Sequence, residues 1–312
     1  MVLLKLKEAL LFAGLFCALL TVASPVLADE RQKLGIGRML TNDMLGDGQD
    51  RWRSGAYALS FVRGRSQWNG KRPVSFGDII EYRIRGEVFT PENISTPSAG
   101  DRRFAGAWSV GMHTHFRRAN IEISAGADLV ITGKQTGLGQ MQREFHKVLG
   151  ATEPSVLLLN NQIANGFHPT ASVEIANPLS LSRNLRFRPF IEARIGDEDL
   201  IRIGGDFTFG SFGRDDLMLR DVSTGQLYPG TKVFNEGISL MLGGDVAKVY
   251  DSVYLPASAG FTLTDTRSRL RAGVNYQRGQ FGAFYGMTWL GKEFVDQRES
   301  QILGSIRLSW RF

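Results

Sequence analysis

The stretch Ile302-Leu303-Gly304-Ser305-Ile306-Arg307-Leu308-Ser309-Trp310-Arg311-Phe312 alternates with a period of two. Ile302, Gly304, Ile306, Leu308, Trp310 and Phe312 fall on one side, and Leu303, Ser305, Arg307, Ser309 and Arg311 on the other. A β-strand has that side-chain period, so the segment is a strand with one apolar, aromatic face and one face carrying two arginines. In a soluble sandwich the apolar face packs inward and the arginines meet bulk water. In an outer-membrane barrel the apolar face meets lipid and the arginines line a wet interior.

The amino terminus decides between these readings. Lys5 and Lys7 precede an apolar run from Ala9 to Val26, and Val26-Leu27-Ala28 has the small-residue form of a cleavage site. Residues 1–28 therefore read as a secretory signal peptide, leaving 29–312 as one exported domain. Cys17, the only cysteine, lies in the signal, so the exported chain is expected to carry no disulfide and no thiol chemistry. Without Lys5, Lys7 and Glu8 the chain keeps 35 basic and 30 acidic residues, a net charge of +5. It has no long Lys/Arg cluster of the kind that points to nucleic acid.

Beyond the signal no apolar run approaches the roughly 18 residues of a spanning helix. Any bilayer crossing is then made by strands. Strands cross hydrocarbon only as a closed barrel, because an open edge leaves backbone groups unpaired at several kcal/mol each. The expected fold class is all-β, a closed antiparallel transmembrane barrel of about 12 strands. Its amphipathic segments are Leu34 to Asn42, Ser54 to Arg63, Asp78 to Phe89, Phe104 to His115, Ala119 to Ile131 and His168 to Ala176. They continue with Leu185 to Ile195, Ile201 to Phe209, Gly237 to Tyr254, Arg267 to Gln277, Phe281 to Leu290 and the terminal strand. A turn is expected at Arg117-Arg118, and Asn177-Pro178 ends the sixth segment. In the seventh, Arg186, Arg188, Phe190, Glu192 and Arg194 form the lumen face, where arginines serve packing rather than a substrate funnel.

One segment departs from the period of two. Between Gly137 and Gly150, Leu138, Met141, Phe145 and Val148 recur at spacings of three, four and three, which predicts a helix in an extracellular loop, its apolar stripe against the barrel rim. The same helix places Gln142 and His146 four apart on one face.

Five short motifs occur in order along the first half of the chain. They are Asn42-Asp43, then Asp50-Arg51-Trp52-Arg53-Ser54-Gly55, then Phe89-Thr90-Pro91, then Asp101-Arg102-Arg103-Phe104-Ala105-Gly106, and finally Gln142, His146, Lys147 and Gly150. Together they resemble the outer-membrane lipid A 3′-O-deacylases. The resemblance implies a twelve-stranded barrel with a calcium-dependent site between the wall and a loop helix, hydrolysing the ester that holds the 3′-acyloxyacyl chain of lipid A. It implies His146 as general base on a water, with Gln142 beside it, and Asn42 and Asp43 organising Ca2+ and the substrate carbonyl. Ser54 completes that wall, and Glu153 is the further acidic ligand. Where that family carries a basic pair after the third-strand proline, Glu92-Asn93-Ile94-Ser95 follows Pro91, so the substrate-binding charge passes to Arg102 and Arg103.

The chemistry is coherent with these residue types, since ester hydrolysis needs a base active near neutral pH and positive charge where the oxyanion develops. The chain has no G-x-S-x-G elbow. Alternatives stand beside it. Asp47-Gly48-Gln49-Asp50 has the acidic spacing of a calcium loop without its remaining ligands and reads as a solvated loop. His113 and His115 share a strand face and read as lumen polar residues. A phospholipase-type barrel would place a serine beside its histidine, and His113-Thr114-His115 lacks it. A non-enzymatic pore or scaffold is the third class. A barrel has no free edge to pair, so a monomer is expected, with lipid A and the membrane as its partners.

Overall fold

In the computed structural model, residues 31–233 and 235–310 are described; the signal segment, Cys17 and the last two residues of the expected terminal strand lie outside them. Fifteen strands follow in chain order. They are β1 Gln32–Asn42, β2 Trp52–Gly64, β3 Ile79–Thr90, β4 Ala105–Arg118, β5 Ile121–Thr132, β6 Gly166–Ala176, β7 Leu179–Ser180 and β8 Leu185–Ile195. β9 Glu198–Phe209, β10 Met218–Arg220, β11 Leu227–Pro229, β12 Gly237–Ser252, β13 Arg267–Arg278, β14 Phe281–Leu290 and β15 Gln301–Trp310 complete them. Between β5 and β6 lie two helices, α1 Leu138–Leu149 and α2 Val156–Asn160.

Each long strand pairs antiparallel with its neighbour, and β6–β8 and β1–β15 close the ring, so twelve strands form the barrel. β7 is the continuation of β6 on the far side of Asn177-Pro178, pairing with the start of β8. Pro178 has no N–H to give and interrupts the strand there. The turn between β4 and β5 falls on Ala119-Asn120, two residues later than expected, with Ala119 in the left-handed region at φ 49°.

Alternation is carried through the wall. On β13, Arg267, Arg269, Arg271, Asn275 and Gln277 are buried, while Leu270, Val274 and Tyr276 are exposed on the lipid side. On β8, Arg188, Phe190 and Arg194 are buried and Ile191 and Ile195 face outward. Arg188 holds Glu174 at 2.7 Å and Glu122 at 3.1 Å, and Arg194 holds Asp197 at 2.8 Å, so these arginines do pack the lumen. His113 and His115 are likewise engaged, with Asp128 at 3.1 Å and Glu81 at 2.9 Å.

The segment between β9 and β12 has no counterpart among the expected strands. It starts at the end bearing the termini and runs up inside the barrel, where β10 and β11 pair as a hairpin. Leu217, Leu219 and Tyr228 from this hairpin pack with Met39, Ala58, Val62 and Phe284 of the wall to form an apolar core within the lumen. Its tip reaches toward the opposite end: the Ser223 hydroxyl donates to Glu87, and the Val222 carbonyl accepts from Arg269 at 2.7 Å. Arg220 binds Glu174 and Asp206, and its guanidinium lies 3.6 Å from the centre of the Phe190 ring. Hairpin and ion pairs together fill the interior, which excludes a wide channel.

The densest knot is Asp245 on β12. Its carboxylate is fully enclosed and meets Arg269 at 2.8 Å, Arg202 at 3.1 Å and Arg271. Replacing it with an amide takes the shared negative charge from three arginines in a low-dielectric interior, and Arg269 has no other ion-pair partner among the described residues. Asp245→Asn is therefore expected to cost about 3–5 kcal/mol, read as a lower urea midpoint for loss of the compact, heat-modifiable form in detergent. An unshifted midpoint counts against the role given to this knot.

Candidate active site

At the end opposite the termini, β1 stops at Asn42 and the chain makes one 3-10 turn over Asp43–Leu45. Asn42 caps this turn: its Oδ1 accepts from the Met44 N–H at 2.9 Å and its Nδ2 donates to the Ser54 carbonyl at 2.9 Å. Its amide thus ties β1 to β2. Asp43 is turned inward, its two oxygens accepting from the N–H groups of Met44 at 2.8 Å and Arg51 at 2.9 Å. The Asp47 carboxylate accepts from the Ile302 N–H at 3.1 Å, so the expected solvated loop is strapped to β15.

The entry into β2 is strained and irregular in a way that aims side chains. Trp52 holds φ 52°, a left-handed conformation unusual for a bulky residue, and is buried with the Arg51 guanidinium 4.3 Å from its ring centre. Gln301 of β15 fixes the backbone on both sides of it, donating to the carbonyls of Arg51 and Arg53 and accepting from the Arg53 N–H at 3.1 Å. Pairing with β3 then slips between Arg53 and Gly55, leaving Ser54 as the extra residue of a β-bulge. The bulge presents the Ser54 hydroxyl to Asp50, to which it donates.

Helix α1 arrives from above. A Cβ on Gly106 of β4 would lie 2.9 Å from Leu138 Cβ and 2.7 Å from the Thr136 hydroxyl, so glycine is what lets the first turn of the helix sit on the wall. Gly150 ends the helix in the left-handed conformation at φ 65°, its N–H reaching the last carbonyls. Leu138 and Gln142 are buried, but Met141, Phe145 and Val148 are 56%, 60% and 83% exposed. The expected orientation of the stripe is thus corrected. Beyond Leu138 the polar face packs on the barrel and the apolar face looks outward, because the rim beneath offers Asp50 and Ser54 as partners.

Gln142 Nε2 lies 3.3 Å from Asp50 Oδ1, 3.4 Å from Asp50 Oδ2 and 3.3 Å from the Ser54 hydroxyl. His146 Nε2 is 3.3 Å from Asp50 Oδ2, and its Nδ1 is 2.6 Å from the Thr152 carbonyl. A carbonyl only accepts, so Nδ1 carries a hydrogen, and Nε2, which faces Asp50, is the nitrogen that can take up a proton. His146, Gln142, Ser54 and Asp50 form one contact set, and Asn42 joins it through the Ser54 backbone.

Two expected residues are elsewhere. Arg102 is 1% exposed, 2.7 Å from Glu293 and stacked 4.8 Å from the Phe89 ring centre; it is a buried counter-charge, which corrects its assignment to substrate binding. Arg103 beside it is exposed. Glu153, expected as a metal ligand, pairs with Arg143 at 3.1 Å. The residue that takes the central place is Asp50, expected only as part of a solvated loop. Its spacing of four from Ser54 is the sequence signal, and it becomes informative only once the bulge is known. Trp52 and Gln301 had no signal of their own.

Asp43 is enclosed and unpaired with any cation. Burial, and then the neighbouring charge of Asp50, push its carboxyl up to about 9; the N–H groups of Arg51 and Met44 oppose this, and Asp47 adds to it. Gln142 Oε1 is buried and has no hydrogen-bond partner. The raised acid binds a proton in the folded state that the unfolded chain releases above the ordinary value of 3.8. Metal-free protein should therefore lose stability as pH rises from 3.8 to about 9, and Asp43→Asn should flatten that slope in a pH series of denaturant midpoints. A slope unchanged by the substitution places its origin at other groups.

Comparison with known proteins agrees with this architecture. The family model described as "Outer membrane protein LpxR" matches residues 15–312. LpxR from Salmonella typhimurium has a similar fold, with a TM-score of 0.73 at 17% identity over 89% of this chain and 100% of that one. The NanC porin structure overlaps far less well, with a TM-score of 0.41 at 9% identity over 89% of this chain and all of that one. No curated protein matches significantly. With a twelve-stranded ring, a rim site and a family match over nearly the whole sequence, the chain belongs to the LpxR family of outer-membrane proteins.

Proposed function

We propose that this lipid A deacylase-type protein hydrolyses the ester linking the 3′-acyloxyacyl chain to lipid A, with His146 as the general base. The observation carrying this reading is the placement of the histidine. It stands on the inner face of a rim helix whose outer face, with Met141, Phe145 and Val148, is apolar and exposed at the lipid-facing wall. An ester within an acyl-chain layer reaches such a site without leaving the membrane. No serine hydroxyl hydrogen-bonds to His146 among the described residues, which favours a water nucleophile over an acyl-enzyme.

The donor set suits an oxygen-seeking cation. The carboxylates of Asp43 and Asp50 and the unpartnered Gln142 Oε1 are hard oxygens, and calcium takes such ligands together with backbone carbonyls and waters. Among the described residues no three His, Asp or Glu side chains surround a common point, so amide and backbone oxygens are part of the set. When bound, Ca2+ supplies positive charge that polarises an acyl carbonyl and stabilises its oxyanion.

The chain's own groups do the proton work. The bond from Nδ1 to the Thr152 carbonyl holds the imidazole in the tautomer whose Nε2 accepts a proton. Nε2 takes that proton from water as its oxygen bonds to the acyl carbon. The carbon–oxygen bond to the sugar then breaks, and the proton passes to the leaving sugar oxygen, giving a free fatty acid and a hydroxyl. Asp50 stabilises the transient imidazolium, while Gln142 and Ser54 hold Asp50 in place.

Mass spectrometry of lipid A from cells exporting the protein is the test. Loss of the 3′-acyloxyacyl group is expected with the parent chain. His146→Ala should lower the rate about 10²–10⁴-fold, and chelation of calcium should abolish it. An intact lipid A profile from folded, exported protein would overturn the proposal. Asp50→Asn should lower kcat, because the amide neither stabilises the imidazolium nor offers a cation a carboxylate. Wild-type kcat in that variant would remove Asp50 from the mechanism.

A further inference from the structure

The seam that closes the ring is paired over only part of its length. β1 pairs with β2 from Gln32↔Gly64 to Asn42↔Gly55, and β15 pairs with β14 as far as Trp310↔Phe281. Between themselves, β1 and β15 register only at Leu40↔Ile306, Thr41↔Ser305 and Asn42↔Gly304. Below this, toward the end bearing the termini, β1 leans onto the lumen hairpin instead. A Cβ on Gly35 would lie 2.3 Å from the Gly230 carbonyl oxygen, and one on Gly37 would lie 2.9 Å from the Tyr228 ring. Glycines at these inward positions let the strand tilt in and leave its neighbour.

The parting leaves a cleft of about 200 Å³ between the strands, lined by Arg38, Arg307, Lys232, Asn275 and Asp216 among others. Arg307 enters it from the lumen side. One of its terminal nitrogens donates to Asn275 at 2.9 Å, and its Nε is buried without a partner. Arg38 enters from the lipid side, on the face that carries Ile36 and Leu40, which are 38% and 42% exposed. Among the described residues Arg38 makes no hydrogen bond or ion pair; the charge of Arg307 is attracted by Asp216 and repelled by Arg38. Asp216, the one carboxylate lining the cleft, is engaged by the Thr231 hydroxyl at 2.9 Å and the Val233 N–H at 3.1 Å. Elsewhere the lumen arginines are matched to carboxylates, as Arg188, Arg202, Arg220, Arg269 and Arg271 are.

An arginine on a lipid-facing wall is costly, and its long stem carries the charge toward the polar interface. The interface is close. Trp310 is 57% exposed and packs 5.7 Å from Phe281 at the terminal end of the wall, as aromatic residues do at headgroup level. Outer-membrane barrels keep their termini on the periplasmic side, so the cleft opens to the inner, phospholipid-facing leaflet. Two guanidiniums, neither in a salt bridge among the described residues, flank one opening at headgroup height and match a phosphate that approaches along the wall, with Ile36 and Leu308 beside its acyl chains. We propose that the parted β1–β15 seam binds the phosphate of a glycerophospholipid headgroup through Arg38 and Arg307.

Native mass spectrometry of the purified full chain in detergent, with added phosphatidylglycerol, tests this. The parent protein should retain one lipid per chain. Arg38→Gln, which removes a side chain that makes no hydrogen bond or ion pair among the described residues and leaves folding intact, should cut retention at least about tenfold, the worth of a charge-assisted hydrogen bond. Arg307→Gln should act in the same direction, Arg38→Lys should retain most of the lipid, and Arg278→Gln, on the β13–β14 turn, should not change it. Equal retention by Arg38→Gln and the parent overturns the proposal. Complete displacement by excess inorganic phosphate also overturns it, since the cleft would then be a free-anion site.

Discussion

Closure is the constraint on which the remainder of this structure rests. Unpaired backbone groups are costly in hydrocarbon, and twelve antiparallel strands meet that demand by forming a ring, save where β1 parts from β15 and leans on the lumen hairpin. The ring turns apolar side chains to lipid and sends the arginines, aspartates and glutamates inward. Charges so confined need partners, and the knot around Asp245 and the ladder from Arg188 to Glu174 and Arg220 supply them. The lumen hairpin carries Arg220 into this array and seals it with its own apolar core around Tyr228. The inside of the barrel is thereby a packed interior, and the chemistry is displaced to the rim.

At the rim the backbone departs from ideal geometry, and those departures assemble the site. The left-handed Trp52 and the bulge at Ser54 redirect the start of β2 so that Asp50 and Ser54 look up at α1. Gln301, from the other end of the sequence, clamps both sides of the turn, so β15 supports a site to which it contributes no reacting group. The helix lays its polar face on this platform and leaves Phe145 and Val148 outward. A loop helix with its apolar face free would be anomalous in water; beside a bilayer it is in its natural solvent. The face that meets Asp50 and the exposed apolar face are thus two sides of one element only twelve residues long.

The cleft at the parted seam lies at the other end of the wall, where β1 trades its partner β15 for the hairpin. It shows the same logic with the sign reversed. Where the interior pairs its charges in salt bridges, the ring is closed; where Arg38 and Arg307 stand outside any salt bridge among the described residues, the strands part.

The barrel was legible from sequence because its two determinants are local. A period of two recurs along each strand, and the limits of β8 and β14 agree with the expectation to the residue. The helix was legible from its own period, and so were Gln142 and His146, since a spacing of four is adjacency on any helix. The lumen hairpin was not legible: β10 and β11 are three residues each, too short for a period, and their burial depends on a cavity made by other strands. Nor were the orientation of α1, the enclosure of Arg102 or the centrality of Asp50, each decided by contacts across long sequence separations, such as Arg102 to Glu293 and Asp50 to Gln142. The sequence by itself determined which residues face lipid and which face inward, because alternation is a property of the strand alone. Only the tertiary structure decided which inward charge meets which, and which carboxylate meets His146, because those pairings arise when the ring closes and brings distant segments together.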